Sequence, residues 1–254
     1  MKVISWNVNG YRAVWKKGFA DWLTESRPDV LMIQETKSWA EQLKSEQLNP
    51  DQYTGIFSKP ERKGYSGVAT FSLKPPSSIA FGYDIERFDA EGRVIITEHN
   101  GILIANIYFP NGKQNLARLA YKMDFYEVTL DYFSKLASAG NKIVVAGDYN
   151  TAHKPIDLAR PKENEHISGF LPEERAWIDR WIEAGFVDIF RRFNDKPEQY
   201  TWWDMRTGAR ARNIGWRIDY FFVSEAMIDQ VKDAWISPNI IGSDHCPLGV
   251  EISV

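Results

Sequence analysis

Several apolar runs of this chain end in side chains that can handle a phosphate or a hard cation. Ile4-Ser5-Trp6 runs into Asn7, and Leu31-Met32-Ile33-Gln34 into Glu35. Ile107 leads to Tyr108 and then Pro110-Asn111-Gly112, and Val144-Val145-Ala146-Gly147 leads to Asp148 and Asn150. Asp244-His245 stands just before the last apolar run. One such ending is ordinary, since Asn and Asp favour turns and bond to nearby backbone. A series of them is harder to explain that way, because a carboxylate at the end of a buried run loses hydration unless something positive meets it. Oxygen donors from Asn, Glu and Asp, in a chain with one Cys and four His, suit Mg²⁺ or Mn²⁺ rather than zinc. Such an ion neutralises charge building on a phosphoryl group. Phosphodiester hydrolysis also needs a base for water and donors for the non-bridging oxygens. Asp148 with Asn150, and His245 with a carboxylate partner, can supply both. Asp219 is the expected partner of His245. It lies inside the apolar run Trp216-Arg217-Ile218-Asp219-Tyr220-Phe221, where an unpaired carboxylate is costly.

The elements that must position these groups alternate between strands and helices. Val3 to Trp6, Val30 to Ile33, Ile102 to Tyr108, Ile143 to Ala146, Ile218 to Val223 and Leu248 to Val254 are nearly continuous apolar runs, as expected of strands covered on both faces. Ser66 to Leu73 and Val94 to His99 alternate as antiparallel strands do. Helical spacing joins Trp15, Phe19, Trp22 and Leu23, then Leu116, Leu119, Met123, Leu130 and Phe133. It also joins Trp177, Ile178, Trp181 and Ile182, between Pro172 and Gly185. These patterns predict an α/β protein with mixed sheets covered by helices, folded as one domain over residues 1–254. The Gly-rich dinucleotide and P-loop signatures, H-E-x-x-H and G-x-S-x-G are all absent.

Composition narrows the classes. With 31 basic and 34 acidic residues the net charge is -3, so bulk positive charge does not make this a nucleic-acid coat. Cys246 is the single cysteine, which excludes an intramolecular disulfide and a Cys-based zinc site and predicts a small buried residue. The strand-like start leaves no room for a signal peptide, and no apolar run approaches the roughly 20 residues of a membrane span. The expectation is a soluble, cytoplasmic monomer without membrane contact.

Seven segments then carry a resemblance: Ser5-Trp6-Asn7-Val8-Asn9-Gly10-Tyr11-Arg12, Gln34-Glu35-Thr36-Lys37, Gly64-Tyr65-Ser66-Gly67, Tyr108-Phe109-Pro110-Asn111-Gly112, Gly147-Asp148-Tyr149-Asn150, Asn213-Ile214-Gly215-Trp216-Arg217-Ile218-Asp219-Tyr220 and Gly242-Ser243-Asp244-His245-Cys246-Pro247. In order and extent they resemble the motifs of the exonuclease III class of apurinic/apyrimidinic endonucleases, within the endonuclease/exonuclease/phosphatase superfamily. The resemblance implies a four-layered α/β sandwich with two facing mixed sheets and the site at one edge. It implies a DNA hydrolase that cuts 5' to abasic sites, with 3'-5' exonuclease and 3'-phosphodiesterase activity. By resemblance, Glu35, Asn7 and Asp244, joined by Asp148 and Asn150, would hold Mg²⁺. Asp148, helped by Asn150, would act on water, His245 with Asp219 on the scissile phosphate, and Tyr108 with Asn111 on the phosphate or leaving group. Whether Asp148 or His245 is the base, and whether one or two metals act, stays open at this level. Asn9 stands where some relatives carry Asp.

The expected partner is duplex DNA with abasic or 3'-blocked lesions. From Arg206 to Arg217 the chain has Arg206, Arg210, Arg212 and Arg217 with no acid, flanked by Trp202 and Trp203 and including Trp216. Basic residues interleaved with aromatics suit a surface that tracks a backbone beside a base-sized or sugar-sized pocket. The resemblance places Trp202, Trp216 and Ile218 around a flipped-out sugar and Arg206 on a loop that enters the duplex. Asn213 and Trp203 belong to the same candidate surface, and Arg12, Lys37 and Lys113 are candidate phosphate contacts. Two other readings compete: the same catalytic core acting on a small phosphate ester, and a DNA-binding module without catalysis.

Overall fold

A computed structural model describes all 254 residues. Two six-stranded mixed sheets face each other. In spatial order the first contains Val231–Ile236, Leu248–Ile252, Lys2–Asn7, Val30–Gln34, Val68–Ser72 and Thr54–Phe57. The second contains Ser78–Phe81, Val94–His99, Ile102–Tyr108, Lys142–Asp148, Asp219–Ser224 and Phe186–Asp188. Each sheet has one parallel pair among antiparallel neighbours. Val3, Val30 and Met32 of the first sheet share a buried cluster with Ile104, Val144 and Phe221 of the second. The inner layer is thus sheet on sheet, and helices cover the outer faces. That is the expected four-layered sandwich.

One polar tie crosses the dry layer. Gln34 Nε2 donates to Asn106 Oδ1 at 2.8 Å, and Asn106 Nδ2 donates to Ala69 O at 2.9 Å. The N–H groups of both amides find partners that replace water.

The helices follow their sequences with two corrections. Trp15 to Leu23 is not one helix. Tyr11–Trp15 and Phe19–Ser26 are separate, and Gly18 between them has φ +91°, a conformation open mainly to glycine. The long helix Leu116–Ser138 buries Lys122, Phe125, Tyr126, Thr129 and Phe133, whereas Leu116 is exposed. Its inward face is therefore rotated from the one marked by the leucines. In helix Pro172–Glu183, Trp177, Ile178 and Trp181 are buried and Ile182 is exposed. Trp177 stacks on Tyr126 at 4.0 Å, and Trp181 on Phe186 at 4.0 Å, which anchors this helix on the second sheet. Much of the tryptophan content is therefore core. Cys246 is buried, as expected. No helix is long and apolar enough to cross a membrane.

Candidate active site

Strand register gathers the polar strand ends at one edge. In the first sheet Asn7 pairs in parallel with Gln34, placing Asn7 beside Glu35. In the second, Tyr108 pairs in parallel with Asp148, and Asp148 lies opposite Asp219 in the antiparallel direction. Gly147 makes the approach of these strands possible: its φ is +143°, and a Cβ there would lie 1.9 Å from Ile107 O. Asn9, Glu35, Lys37 and Asn150 all have φ between 45° and 53°. For a non-glycine residue that conformation costs on the order of 1 kcal/mol, so the surrounding bonds must hold it.

Those bonds are present. Asn7 Nδ2 donates to Glu35 Oε1 at 2.9 Å and to Asp148 Oδ2 at 2.8 Å. Asn150 donates its backbone N–H to Asp148 Oδ1 at 2.8 Å, and its amide accepts from Asn111 Nδ2 at 2.9 Å. His245 Nδ1 faces Asp219 Oδ2 at 2.8 Å, and His245 Nε2 faces Asp148 Oδ2 at 3.9 Å. Glu35, Asp148 and His245 can bring one ligand atom each to within 4.8 Å of one another.

Charge at the site is uneven. Burial would lower the His245 pKa, but the carboxylate of Asp219 and its hydrogen bond, with Asp148 and Asp244 nearby, raise it to about 10. At neutral pH the ring is an imidazolium, a donor rather than a base. Burial raises Asp148 to about 7, with Asp219 and Glu35 adding to the effect and His245 opposing it. Burial would raise Glu35 too, but the Lys37 ammonium and the Asn7 amide hold it below the usual range. Glu35 and Asp148, both bonded by the Asn7 amide, present converging carboxylate oxygens that fit a hard cation. The imidazolium does not, because its Nδ1 is engaged and its Nε2 is protonated.

Four of the expected site residues are engaged by neighbours within the protein. Asp244 lies in the same cleft as Glu35 and Asp148, where its oxygens accept from Asn9 Nδ2 at 2.9 Å and Trp202 Nε1 at 3.1 Å. Lys37 is turned inward onto Glu35 Oε2 at 2.8 Å and onto Asn9 Oδ1, so its charge serves the carboxylate. Trp203 is buried with Tyr200, Ala209 and Cys246. Asn213 is occupied by Trp203 Nε1 and Glu198 O. Trp203 is thus buried, whereas Asn213 is exposed on the segment beside it.

The Arg206 to Arg217 segment divides in the same way. Arg217 is buried and donates to Asp157 Oδ1 at 2.8 Å and to both oxygens of Asp188. Arg210 packs over the Trp203 ring and donates to backbone carbonyls of Ser243, Pro238 and Ile240. Arg206 and Arg212 remain on the surface, and Arg206 borders the cleft.

The cleft has a volume of about 540 Å³. Tyr108, Asp148, Asn150 and His245 line it together with the apolar cluster of Trp202, Trp216 and Ile218. The ammonium of Lys113 stands 5.1 Å from both Trp202 and Trp216 rings. Arg12 lies in a neighbouring groove, with Nε on Ser38 Oγ at 3.1 Å.

Two supporting residues escape a reading of the sequence. Thr201 Oγ1 donates to Asp219 Oδ2 at 2.6 Å. Arg93 is buried with its guanidinium 4.4 Å over the Tyr108 ring and donates to Tyr108 O at 2.8 Å. An Arg directly before the apolar run Val94 to Thr97 was the available signal for the latter.

Two facing mixed sheets thus carry a cluster of carboxylates and a histidine in a cleft at one edge, the arrangement of a phosphoesterase. The chain belongs to the endonuclease/exonuclease/phosphatase family, whose model matches residues 4–245. It is 43% identical to an exodeoxyribonuclease of Bacillus subtilis over the full length of both chains. It is 40% identical to a DNA-(apurinic or apyrimidinic site) endonuclease of Dictyostelium discoideum, over all of this chain and 71% of that one. Among solved structures, an AP endonuclease from Archaeoglobus fulgidus superimposes with a TM-score of 0.90 at 31% identity, covering both chains in full.

Proposed function

We propose that this protein is a divalent-metal-dependent DNA repair hydrolase that cuts the phosphodiester bond on the 5' side of an abasic site, and that it also removes nucleotides and blocking groups from 3' ends. One observation carries the reading. The cluster of Asp148, Asn150, Tyr108 and His245 shares a single cleft with an apolar wall of Trp202, Trp216 and Ile218. The cluster suits a phosphodiester, and the wall suits a sugar without its base.

Glu35, Asp148 and Asp244, with the amide oxygens of Asn7 and Asn150, would hold the metal. Mg²⁺ matches their hard oxygens, and when bound it neutralises charge on the phosphoryl group. Asp148, fixed at the strand end by Asn7 Nδ2 and the Asn150 backbone N–H, accepts the proton of the attacking water. His245, held protonated by Asp219, donates to a non-bridging oxygen and stabilises the negative charge that develops there. Asn150 and Asn111 fix the orientation of Asp148 and the adjacent phosphate. Tyr108 stands at the leaving-group side, its phenol kept protonated by burial and by the Glu35 charge. Arg206 and Lys113 border the cleft, where they meet the backbone on either side of the lesion.

The test compares turnover of an abasic oligonucleotide duplex with turnover of soluble phosphomonoesters. Preference for the duplex by several orders of magnitude supports the reading. Comparable turnover of small esters contradicts it.

A further inference from the structure

Behind the cleft lies an ion pair that the catalytic roles above do not use. Lys122, on helix Leu116–Ser138, and Glu174, in the first turn of helix Pro172–Glu183, are both fully buried, with Nζ and Oε1 2.6 Å apart. A buried pair of this kind is weak evidence for stability, because two desolvated charges regain little over well-packed apolar side chains. Its bonds point to another role. Lys122 Nζ also donates to Asn150 O at 2.8 Å and to Thr151 Oγ1 at 2.7 Å. Glu174 accepts from Ser168 Oγ at 2.9 Å, Gly169 N at 2.5 Å and Leu171 N at 3.1 Å. One carboxylate thus gathers the loop Ser168 to Leu171, and its ammonium partner grips the backbone of a site residue held in the left-handed conformation.

That loop is a wall of the cleft. Gly169, with φ +101°, is so close to its neighbours that a Cβ would lie 3.2 Å from Trp216 Cζ3 and 3.3 Å from Asn150 O. Gly169 O accepts from Ala152 N at 2.8 Å, and the Phe170 ring packs edge-on against Trp216. Trp216 itself is nearly buried and has Phe170, Leu158 and Ile218 as neighbours. Any outward movement of Gly169 opens the space behind Trp216, and any movement of Lys122 releases the Asn150 carbonyl.

We propose that Lys122 and Glu174 act as positioning residues that set the width of the sugar pocket, by locking the Gly169–Phe170 wall against Trp216 and to the end of the catalytic strand. The pair thereby sets how strongly the pocket favours an abasic sugar, which fits, over an intact nucleotide, which the closed wall accommodates less well. This rests on the lesion-pocket reading above and adds the device that enforces it.

The experiment measures kcat and KM for Lys122→Met, Glu174→Gln and Ser168→Ala on two duplexes, one with an internal abasic analogue and one undamaged and cut from its 3' end. Misplacing a catalytic strand end by about 1 Å costs about 10²-fold. Abasic incision by Lys122→Met and Glu174→Gln should therefore fall about 10²-fold. Removal of undamaged nucleotides should fall less, so that the ratio of the two drops at least about 10-fold. Ser168→Ala, which removes one bond to Glu174 and leaves both charges in place, should lower the ratio a few-fold in a protein that melts like wild type. Circular dichroism at the assay temperature checks that each variant is folded. If the pair only stabilises the core, both activities fall in parallel and the ratio is unchanged, which overturns the proposal. If the buried-pair variants do not fold, an unchanged ratio in Ser168→Ala overturns it and a reduced ratio sustains it. Failure of wild-type protein to cut at the abasic site would instead refute the lesion-pocket reading itself.

Discussion

Asp219 Oδ2 accepts two bonds at once, from Thr201 Oγ1 at 2.6 Å and from His245 Nδ1 at 2.8 Å. The threonine fixes the carboxylate, and the carboxylate fixes the ring and its charge. Asp219→Asn should lower cleavage of an abasic duplex at least about 10²-fold, the loss expected when a charge-stabilising donor is displaced. The alkaline limb of the pH–rate profile, expected near pH 10 from the raised His245 pKa, should move towards neutrality in the same variant. Because this pKa is raised on folding, its contribution to stability is complete below the unfolded value of about 6.5 and disappears as pH rises through about 10. Activity that is unchanged in Asp219→Asn, with an unmoved alkaline limb, would remove His245 from the phosphate.

Asp148 and Glu35 should separate when mutated. Asp148→Asn keeps the shape of the side chain but removes the proton acceptor, so kcat should fall at least about 10²-fold at saturating metal. Glu35→Gln removes one of the converging carboxylates, and the metal concentration for half-maximal rate should rise at least about 10-fold, as it does when the surroundings of a metal are disturbed. Metal titrations of both variants check this. Identical metal dependence in wild type and Glu35→Gln would place the ion elsewhere.

Of the four arginines between Arg206 and Arg217, only Arg206 and Arg212 are exposed. Arg206→Ala should weaken duplex binding and reduce the slope of log K against log salt by about 1, as for loss of one phosphate contact. Arg210→Ala should instead lower the melting temperature, since Arg210 is committed to backbone carbonyls and to Trp203. Fluorescence anisotropy at several salt concentrations, paired with thermal melts, distinguishes the two. An unaltered salt slope in Arg206→Ala contradicts the assignment.

Arg217 gives a prediction for stability alone. Its guanidinium sits between Asp157 and Asp188, all three buried. Arg217→Met strands Asp188 in the interior and leaves Asp157 to Arg191 alone, and should destabilise the fold by about 3–5 kcal/mol, measured by urea unfolding. Burial would raise the Asp157 pKa, but Arg217, its hydrogen bond and Arg191 hold it down at about 2. A depressed carboxylate contributes stability above its unfolded pKa of about 3.9 and loses it as pH falls through the folded value. Wild-type stability should therefore drop between about pH 4 and pH 2, and this component of the drop should be smaller in Arg217→Met.

Much of this layout was legible because buried strands advertise themselves. Ile102 to Tyr108 and Ile143 to Asp148 are apolar runs whose polar ends stand out, and their parallel pairing brings Tyr108 to Asp148. The pairing of Asp219 with His245 followed from the cost of a lone carboxylate in an apolar run, and it holds at 2.8 Å. What the chain concealed was the direction of side chains on loops. Arg217 and Arg206 read alike in a basic stretch, yet one points into the core and the other borders the cleft, and only the tertiary position of Asp157 and Asp188 separates them. Lys122 was hidden for a related reason. A lysine on a helix is ordinarily solvated, and its partner Glu174 lies 52 residues away. Edge strands such as Ser78–Phe81 and Val231–Ile236 are short or partly exposed and carry no strong apolar run.

The most direct test incubates the full-length protein with a duplex carrying one abasic-site analogue, with Mg²⁺ and with chelator, and maps the ends of the products. A metal-dependent hydrolase with this cleft cuts on the 5' side of the lesion, leaves a 3'-hydroxyl on the upstream fragment, and is silent in chelator. Uncut duplex in the presence of Mg²⁺, or cleavage that persists undiminished in chelator, would contradict the proposed function.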